Sequence, residues 1–496
     1  MSLRLHNTLS GKIEPFQPLL GGEARMYTCG PTVYDFAHIG NYRTFVFQDI
    51  LRRYLKYSGF RVKHVVNLTD VDDKTIRKSK DAGLSLREYT QEFINAFLVD
   101  RDLLNLDPPE IMVRATDCIE DMVKLVETLQ QKGLTYSSDG SVYFRVAGFK
   151  DYGKLSKINL AGNRVGARVD SDEYDKDDAR DFVLWKAAKP GEPSWETPFG
   201  MGRPGWHLEC SAMAMKYLGE TFDIHSGGTD LIFPHHENEI AQSEGATGKP
   251  FARFWVHAEH LIVNGEKMSK SLGNFYTLRD LIAKGYHPSA IRYLLASVPY
   301  SKPLNFTFDG LVQAQKSIER LRNFEYRLKN EKFPAGQNPA LGEHSHQSRQ
   351  AFEDALDNNL NTAEALAAVF GLVSEGNTAM DRGEFHDGDS AAALDVLDRW
   401  DRIFRVLADD DHEKLMTHHL ASSGAPASEM SLPSATSDGS SMLVVISDEE
   451  IERQIALRKA ARTSGNYAES DRIRDELLQA GVILEDTKAG TRWKRK

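Results

Sequence analysis

Arg25-Met26-Tyr27-Thr28-Cys29 runs through Gly30 into Pro31-Thr32-Val33-Tyr34-Asp35-Phe36-Ala37-His38-Ile39-Gly40-Asn41. The opening run reads as a short strand. Beyond Asn41, apolar residues at Phe47, Ile50, Leu51, Tyr54 and Leu55 have the spacing of one helix face. His38 and Gly40 therefore stand at a strand-to-helix junction. A helix N-terminus there offers free N–H groups and the positive end of its dipole to an anion. Gly40 lets a ligand approach the backbone closely, and a His donor beside it can bond a phosphate oxygen. Taken alone, a His before a helix is more often a cap or a packed ring. Working outward, Arg61–Asn67 predicts a strand and Ser85–Leu104 a helix. Strand and helix thus alternate over the first 110 residues, which points to an α/β fold with a doubly wound, Rossmann-type parallel sheet.

A second phosphate-type signal lies far downstream. Lys267-Met268-Ser269-Lys270-Ser271 follows the turn Asn264-Gly265 and precedes Gly273-Asn274. Paired ammonium groups on a flexible loop suit gripping the phosphates of a nucleotide while charge shifts between them. By itself such a string is as well read as a solvated basic loop.

Together the two segments resemble the signatures of class I aminoacyl-tRNA synthetases. In that class a His-Ile-Gly-His motif and a Lys-Met-Ser-Lys-Ser motif flank a Rossmann-type nucleotide domain. The first motif here ends in Asn41, a variation that the cysteine-specific members share. Asn67–Lys74, Gly205–Met213 and Phe222–Glu239 (FDIHSGGTDLIFPHHENE) are similar to the cysteinyl-tRNA synthetase family. The resemblance runs from about residue 3 to the C-terminus.

Composition bounds the reading. The chain has 496 residues, 41% hydrophobic and 27% charged, which suits two to four soluble domains. No stretch approaches ~18 uninterrupted apolar residues, so no membrane span is expected. The N-terminus lacks an apolar core and cleavage site. The three cysteines, Cys29, Cys118 and Cys210, are too few for a disulfide framework and fit a reducing cytoplasm. A net charge of −11 argues against wholesale nucleic-acid coating. The last nine residues nonetheless carry five positive charges around Trp493, a frayed tail or a place for phosphate and an unpaired base.

Six segments are expected. Residues 1–110 form the first half of the nucleotide-binding catalytic domain and 111–200 a connective insertion. The insertion holds a helix Cys118–Lys132, a hairpin over Leu134–Arg145 and a charged loop Asp170–Asp181. Residues 201–300 complete the catalytic domain, and 301–420 form a helical bundle. In the bundle Leu311, Ala314, Ile318, Leu321, Phe324 and Leu328 make one stripe, with further helical patterns over Gln350–Gly371 and Ala391–Leu407. Residues 421–446 read as a flexible linker, Ser- and Pro-rich through Ser441. Residues 447–496 form a small α/β domain, which the resemblance makes an anticodon-binding domain.

The resemblance also implies a metal set of Cys29, Cys210, His235 and Glu239 binding one Zn2+. These are ordinary zinc ligands, and His235 and Glu239, four apart in a helix-like run, share a face. Read without the resemblance, each cysteine is a buried thiol and the His–Glu pair a helix salt bridge. His236 competes for the imidazole position. Zinc would grip substrate sulfur as the thiolate, and a neutral alkyl hydroxyl is a far poorer ligand, so serine would be rejected at binding and no editing domain is needed. The family positions further place Trp206 against the side-chain pocket, Gly30 and Thr69 along the substrate and Asp230 on its α-amino group. Trp206 is equally read as core and Asp230 as a turn cap. The roles of His207, His225 and His257 stay open.

The reaction so implied joins L-cysteine to ATP, with Mg2+, as cysteinyl-adenylate, and passes cysteine to the terminal ribose of tRNA(Cys), at the 2′-OH in class I members. His38, Gly40 and Asn41 would hold the triphosphate, and Lys267, Ser269 and Lys270 the leaving pyrophosphate, catalysis being mostly positioning and cation stabilisation. A monomer is expected. Two rivals remain. One is a cysteine ligase with an amino-sugar acceptor, disfavoured by the roughly 190 residues after the lysine loop. The other is a non-catalytic RNA-binding protein on the same fold, disfavoured by the intact His38, Lys267 and Lys270.

Overall fold

The computed structural model describes residues 2–158, 180–423, 448–463, 466–479, 482–487 and 490–495. Most of the expected charged loop 170–181 and of the linker 421–446 lies outside these residues. The chain divides into two compact units, Met1–Ser422 and Ser423–Lys496.

The first unit is built on a five-stranded parallel sheet. Its strands are Glu23–Thr28, Arg61–Leu68, Ile111–Arg114, Phe222–Gly228 and Ala252–Ala258. Across the sheet the order is Ala252–Ala258, Phe222–Gly228, Glu23–Thr28, Arg61–Leu68, Ile111–Arg114. Strand order therefore reverses between Glu23–Thr28 and Phe222–Gly228, the place where doubly wound sheets bind ligands at their carboxyl ends. Phe222–Gly228 is buried along its whole length, as a central parallel strand should be. Its one acid, Asp223, is satisfied by the amides of Leu19 and Arg25 at 2.6 and 2.8 Å.

The helix Leu86–Leu103 has the expected bounds, because Ser85 and Glu88 close a capping box at its start. Ile111–Arg114, assigned by sequence to the insertion, instead pairs in parallel with Arg61–Leu68. The catalytic sheet thus continues past residue 110. Only afterwards does the chain leave it, for the helix Ile119–Gln131 and a four-stranded antiparallel sheet of Thr135–Ser138, Ser141–Phe144, Phe182–Ala187 and Gly202–Pro204.

The helix Phe308–Asn330 buries all six apolar residues of its stripe. The pattern over Gln350–Gly371 is two helices, Pro339–Asp357 and Thr362–Arg382. Asn359 and Leu360 between them take positive φ, which reverses the chain and ends the first helix. Arg292, buried on the helix Pro288–Ala296, ties the bundle to two helices of the nucleotide-type fold, Ile39–Tyr57 and Leu86–Leu103. It donates to Asp49 at 2.5 Å, to the Leu104 carbonyl at 2.8 Å and to the Phe404 carbonyl at 2.5 Å.

In the second unit the helices Asp448–Thr463 and Tyr467–Gln479 pack on the hairpin Val482–Thr487/Gly490–Arg495 around Ile451, Ile455, Ile473, Leu477 and Val482. The basic end is therefore a paired strand. Trp493 is partly buried against this core, and its Nε1 donates to Glu452 at 2.6 Å, so it is no free stacking platform. Among the described residues no helix is long and apolar enough to cross a membrane.

Candidate functional site

The site lies at the carboxyl ends of the two strands that flank the reversal. Cys29 follows directly on Glu23–Thr28, and its amide donates to the Ser226 carbonyl of Phe222–Gly228 at 3.1 Å. Cys210 is in the second turn of the helix Trp206–Leu218. His235 and His236 close an irregular turn that leads into the helix Glu237–Thr247, which carries Glu239. All four sequence-predicted donors are buried, and one ligand atom from each lies within 4.8 Å of the others.

Cys29, His225, His236 and Glu239 satisfy the same test. Hydrogen bonds join the members of both sets to further imidazoles. His225 Nε2 lies 2.8 Å from Glu239 Oε2, and His236 Nδ1 lies 2.7 Å from His257 Nε2. Thr8 Oγ1 in turn meets His257 Nδ1 at 2.8 Å. His236 Nε2 contacts Cys29 Sγ at 3.3 Å. His225 and His236 thus lie within hydrogen-bond reach of Glu239 and Cys29, where groups that orient metal ligands are commonly found. Glu239 Oε1 is buried without a hydrogen bond among the described residues, although His235 Nε2 is 3.1 Å away. An orphaned carboxylate oxygen beside two thiols and an imidazole fits a borderline-soft divalent ion such as zinc. Sequence spacing could not show the supporting layer; the density of His between 207 and 257 was its signal.

Charge follows the same geometry. The Cys29 thiol, donating to Cys210, pulls the latter down to about 6 against the effect of burial. Burial, with Cys210 beside it, pushes Cys29 well up. Burial opposes charge on both His235 and Glu239. The paired charges win, with Glu239 and Cys210 raising His235 to about 10 and His225 and His235 lowering Glu239 to about 2. Burial, and then His225, His257 and other imidazoles, drive His236 well below its usual value.

The remaining predicted pocket residues gather beside this cluster. Trp206 is 38% exposed and stacks on His235 at 4.3 Å, so it is a wall and not core. His207 Nδ1 lies 3.0 Å from His235 Nδ1. The Gly30 amide donates to Asn67 Oδ1 at 2.8 Å, and Asn67 Nδ2 donates to Thr69 Oγ1 at 2.9 Å. Gly227 and Gly228 are imposed by their neighbours: a Cβ would meet the His236 ring at 2.9 Å and Asp230 Oδ1 at 2.3 Å, respectively. At Gly30 a Cβ would fall 2.0 Å from the Asn67 carbonyl oxygen. Gly30→Ala should therefore lower stability by about 1–3 kcal/mol or more, read as a lower thermal midpoint. An unchanged midpoint would show that the turn yields freely.

The phosphate signals also meet. His38 caps the helix Ile39–Tyr57: its Nδ1 accepts from the Asn41 amide at 3.2 Å, while Asn41 Oδ1 accepts from the His38 amide at 3.0 Å. The ring is thereby fixed with its proton on Nε2, free to donate. Burial, and then Lys270, hold its pKa down against Asp230, so it is neutral at pH 7. The Ile39 amide is taken by the Tyr276 carbonyl at 3.0 Å, so this terminus offers fewer free N–H groups than the sequence suggested. Asn41 is first of all a cap.

A Cβ on Gly40 would meet the His38 ring at 3.0 Å and Met268 Cε at 3.2 Å, which puts the lysine loop directly over the helix start. Within that loop Ser269 caps the short turn Lys270–Leu272, and its amide donates to Asn274 Oδ1 at 2.8 Å. Lys267 is exposed. Lys270 Nζ reaches Asp35 Oδ2 at 2.9 Å.

Residues 15–316 match the family described as tRNA synthetases class I (C) catalytic domain, and residues 351–409 match the DALR domain. A cysteine–tRNA ligase of Koribacter versatilis (strain Ellin345) is 55% identical over 498 residues, spanning 100% of each chain. One of Solibacter usitatus (strain Ellin6076) is 56% identical over 496 residues, again 100% of both. One of Chlamydia muridarum is 43% identical over 508 residues, also 100% of both. Among solved structures, Mycobacterium tuberculosis methionyl-tRNA synthetase in complex with methionyl-adenylate is similar in fold, with a TM-score of 0.56 at 14% identity, covering 79% of this chain and 93% of that one. A catalytic-domain family that spans more than half of the chain, and full-length relatives more than half identical, make this protein a member of the cysteine–tRNA ligase family of class I aminoacyl-tRNA synthetases.

Proposed function

We propose that the chain activates L-cysteine with ATP and transfers it to the 3′-terminal ribose of tRNA(Cys). The carrying observation is the convergence of Cys29, Cys210, His235 and Glu239 on one point, in the unit where Lys270 and Met268 reach the His38 helix start. These four residues would hold zinc, which when bound supplies a soft Lewis acid that takes the substrate as its thiolate and leaves a neutral hydroxyl unselected. Trp206 covers His235 and closes the side-chain pocket. Gly30 leaves room where any Cβ would strike backbone, and Asn67 sets the direction of the Thr69 hydroxyl. Asp230, exposed and near His38, takes the α-ammonium and so aims the carboxylate toward the helix start.

His38 donates from Nε2 to a phosphate oxygen of ATP, which arrives with Mg2+. Gly40 keeps the approach open and Asn41 holds the His38 ring in line. Lys267 and Lys270, on the turn shaped by Ser269, bear the charge that grows on pyrophosphate as the carboxylate attacks the α-phosphate. The residues from 119 to 204 would approach the acceptor end and residues 301–420 would support the tRNA. The unit from residue 447 would read the anticodon, a role favoured by Arg492, Lys494 and Arg495 on its last strand. The unpaired state of all three cysteines fits a reducing cytoplasm.

The test is ATP–pyrophosphate exchange with cysteine or serine, followed by charging of a tRNA(Cys) transcript. Cysteine-dependent exchange and tRNA charging are the expected results. Exchange without tRNA charging, but with cysteine joined to an amino sugar, would move the protein to the rival ligase.

A further inference from the structure

The lysine that this reaction sends to the triphosphate is already held by another group. Asp35 Oδ2 takes Lys270 Nζ at 2.9 Å and Lys78 Nζ at 2.8 Å. The other oxygen, Oδ1, accepts the Phe36 amide at 2.9 Å, so the carboxylate is aimed by its own backbone. Lys270 also lies over the Phe275 ring, 5.0 Å from its centroid, and that ring meets His38 edge-on at 5.0 Å. One carboxylate in the turn before His38 therefore docks the whole lysine loop. An ammonium has three N–H donors, and here a carboxylate and a ring face compete for them with any incoming phosphate. Departure of Lys270 would not strand the carboxylate, because Lys78 stays on the same oxygen.

We infer that Asp35 is a positioning residue, a post that holds Lys270 while nucleotide is absent and passes it to the triphosphate, with Lys78 keeping the carboxylate paired during the exchange. The inference rests on the phosphate role proposed for Lys270. The donors that Lys270 gives to Asp35 cannot at the same time go to a phosphate, so the bond opposes ATP. Lys78 makes that loss cheaper. Substitutions at the two positions must then act in opposite directions, which general damage to the fold would not produce.

The experiment is ATP–pyrophosphate exchange on the full chain. Asp35→Asn should lower KM for ATP about two- to fivefold, the range open to an exposed ion pair, with kcat unchanged. Lys78→Met should raise KM by a similar factor, and should do nothing further in the Asp35→Asn background. Without ATP, trypsin should cut the Asp35→Asn protein faster after Lys267 and Lys270, and saturating ATP should restore protection. A fall in kcat at constant KM for Asp35→Asn would overturn the hand-over, since Asp35 would then align Lys270 during reaction. Unchanged KM, kcat and cleavage would overturn it too. Lys270→Ala run alongside separates the two levels: slow exchange there with an inert Asp35→Asn removes only the post, whereas normal exchange removes the phosphate role beneath it.

Discussion

Lys270→Ala should slow cysteine-dependent ATP–pyrophosphate exchange by about 100-fold or more, with cysteine binding little changed. The size of the effect follows from how few positive groups face the phosphates. The Ile39 and Asn41 amides at the helix start are already bonded, and His38 is neutral, so it can donate a hydrogen bond but brings no full charge. In the proposed reaction Lys270 and Lys267 would balance the growing charge of pyrophosphate, with Lys78 held beside them at Asp35. Lys270 is 65% exposed in its side chain and packs into no core, so its removal spares the fold. The two measurements are exchange rate at saturating substrates and cysteine affinity by equilibrium titration. If cysteine affinity collapsed while exchange at saturation held, the lysine would belong to the amino-acid pocket.

Cys210→Ser should reduce bound zinc and discrimination against serine together. A serine hydroxyl at this position is a weaker, harder donor than a thiolate. The Cys210 thiol is pulled down to about 6, below the usual thiol, because Cys29 donates a hydrogen bond to it, and a lowered thiol suits a metal ligand. Cys118 supplies the control. It is buried too, but its sulfur contacts Lys216 at 3.5 Å, outside the donor cluster, so Cys118→Ser should keep its zinc. Metal content of the two purified variants by mass spectrometry decides the matter. Equal zinc in both would remove Cys210 from the set.

Much of the scaffold was legible because its signals are local. The stripe Leu311–Leu328 reads as a helix face at sight, and Ser85 with Glu88 marks a helix start by side-chain chemistry alone. The errors arose where tertiary pairing decides. Ile111–Arg114 is four residues after a Pro pair, too short to show a period, and only its partner strand makes it part of the sheet. The Gln350–Gly371 pattern hid a reversal at Asn359 and Leu360, whose left-handed backbone leaves little trace in composition. Trp493 looked exposed because its cover, Glu452 and the small core, comes from an earlier helix. The candidate site divides in the same way. The donor types were visible, and the resemblance picked four of them, but which imidazoles stand beside the two thiols and Glu239 depends on how the chain folds back. No spacing rule carries that information.

The fully buried Glu237 stands two residues before Glu239, and its carboxylate receives the amides of Gly153, Leu155 and Ser156 at 2.8, 3.1 and 2.7 Å. Anyone pruning this enzyme to a minimal catalyst by excising its middle would strip those three donors from a fully buried carboxyl group. The helix that carries it would be driven to rotate or melt, and Glu239 would go with it. The excursion between the halves of the sheet is thus a buttress of the helix that carries Glu239, whatever else it touches.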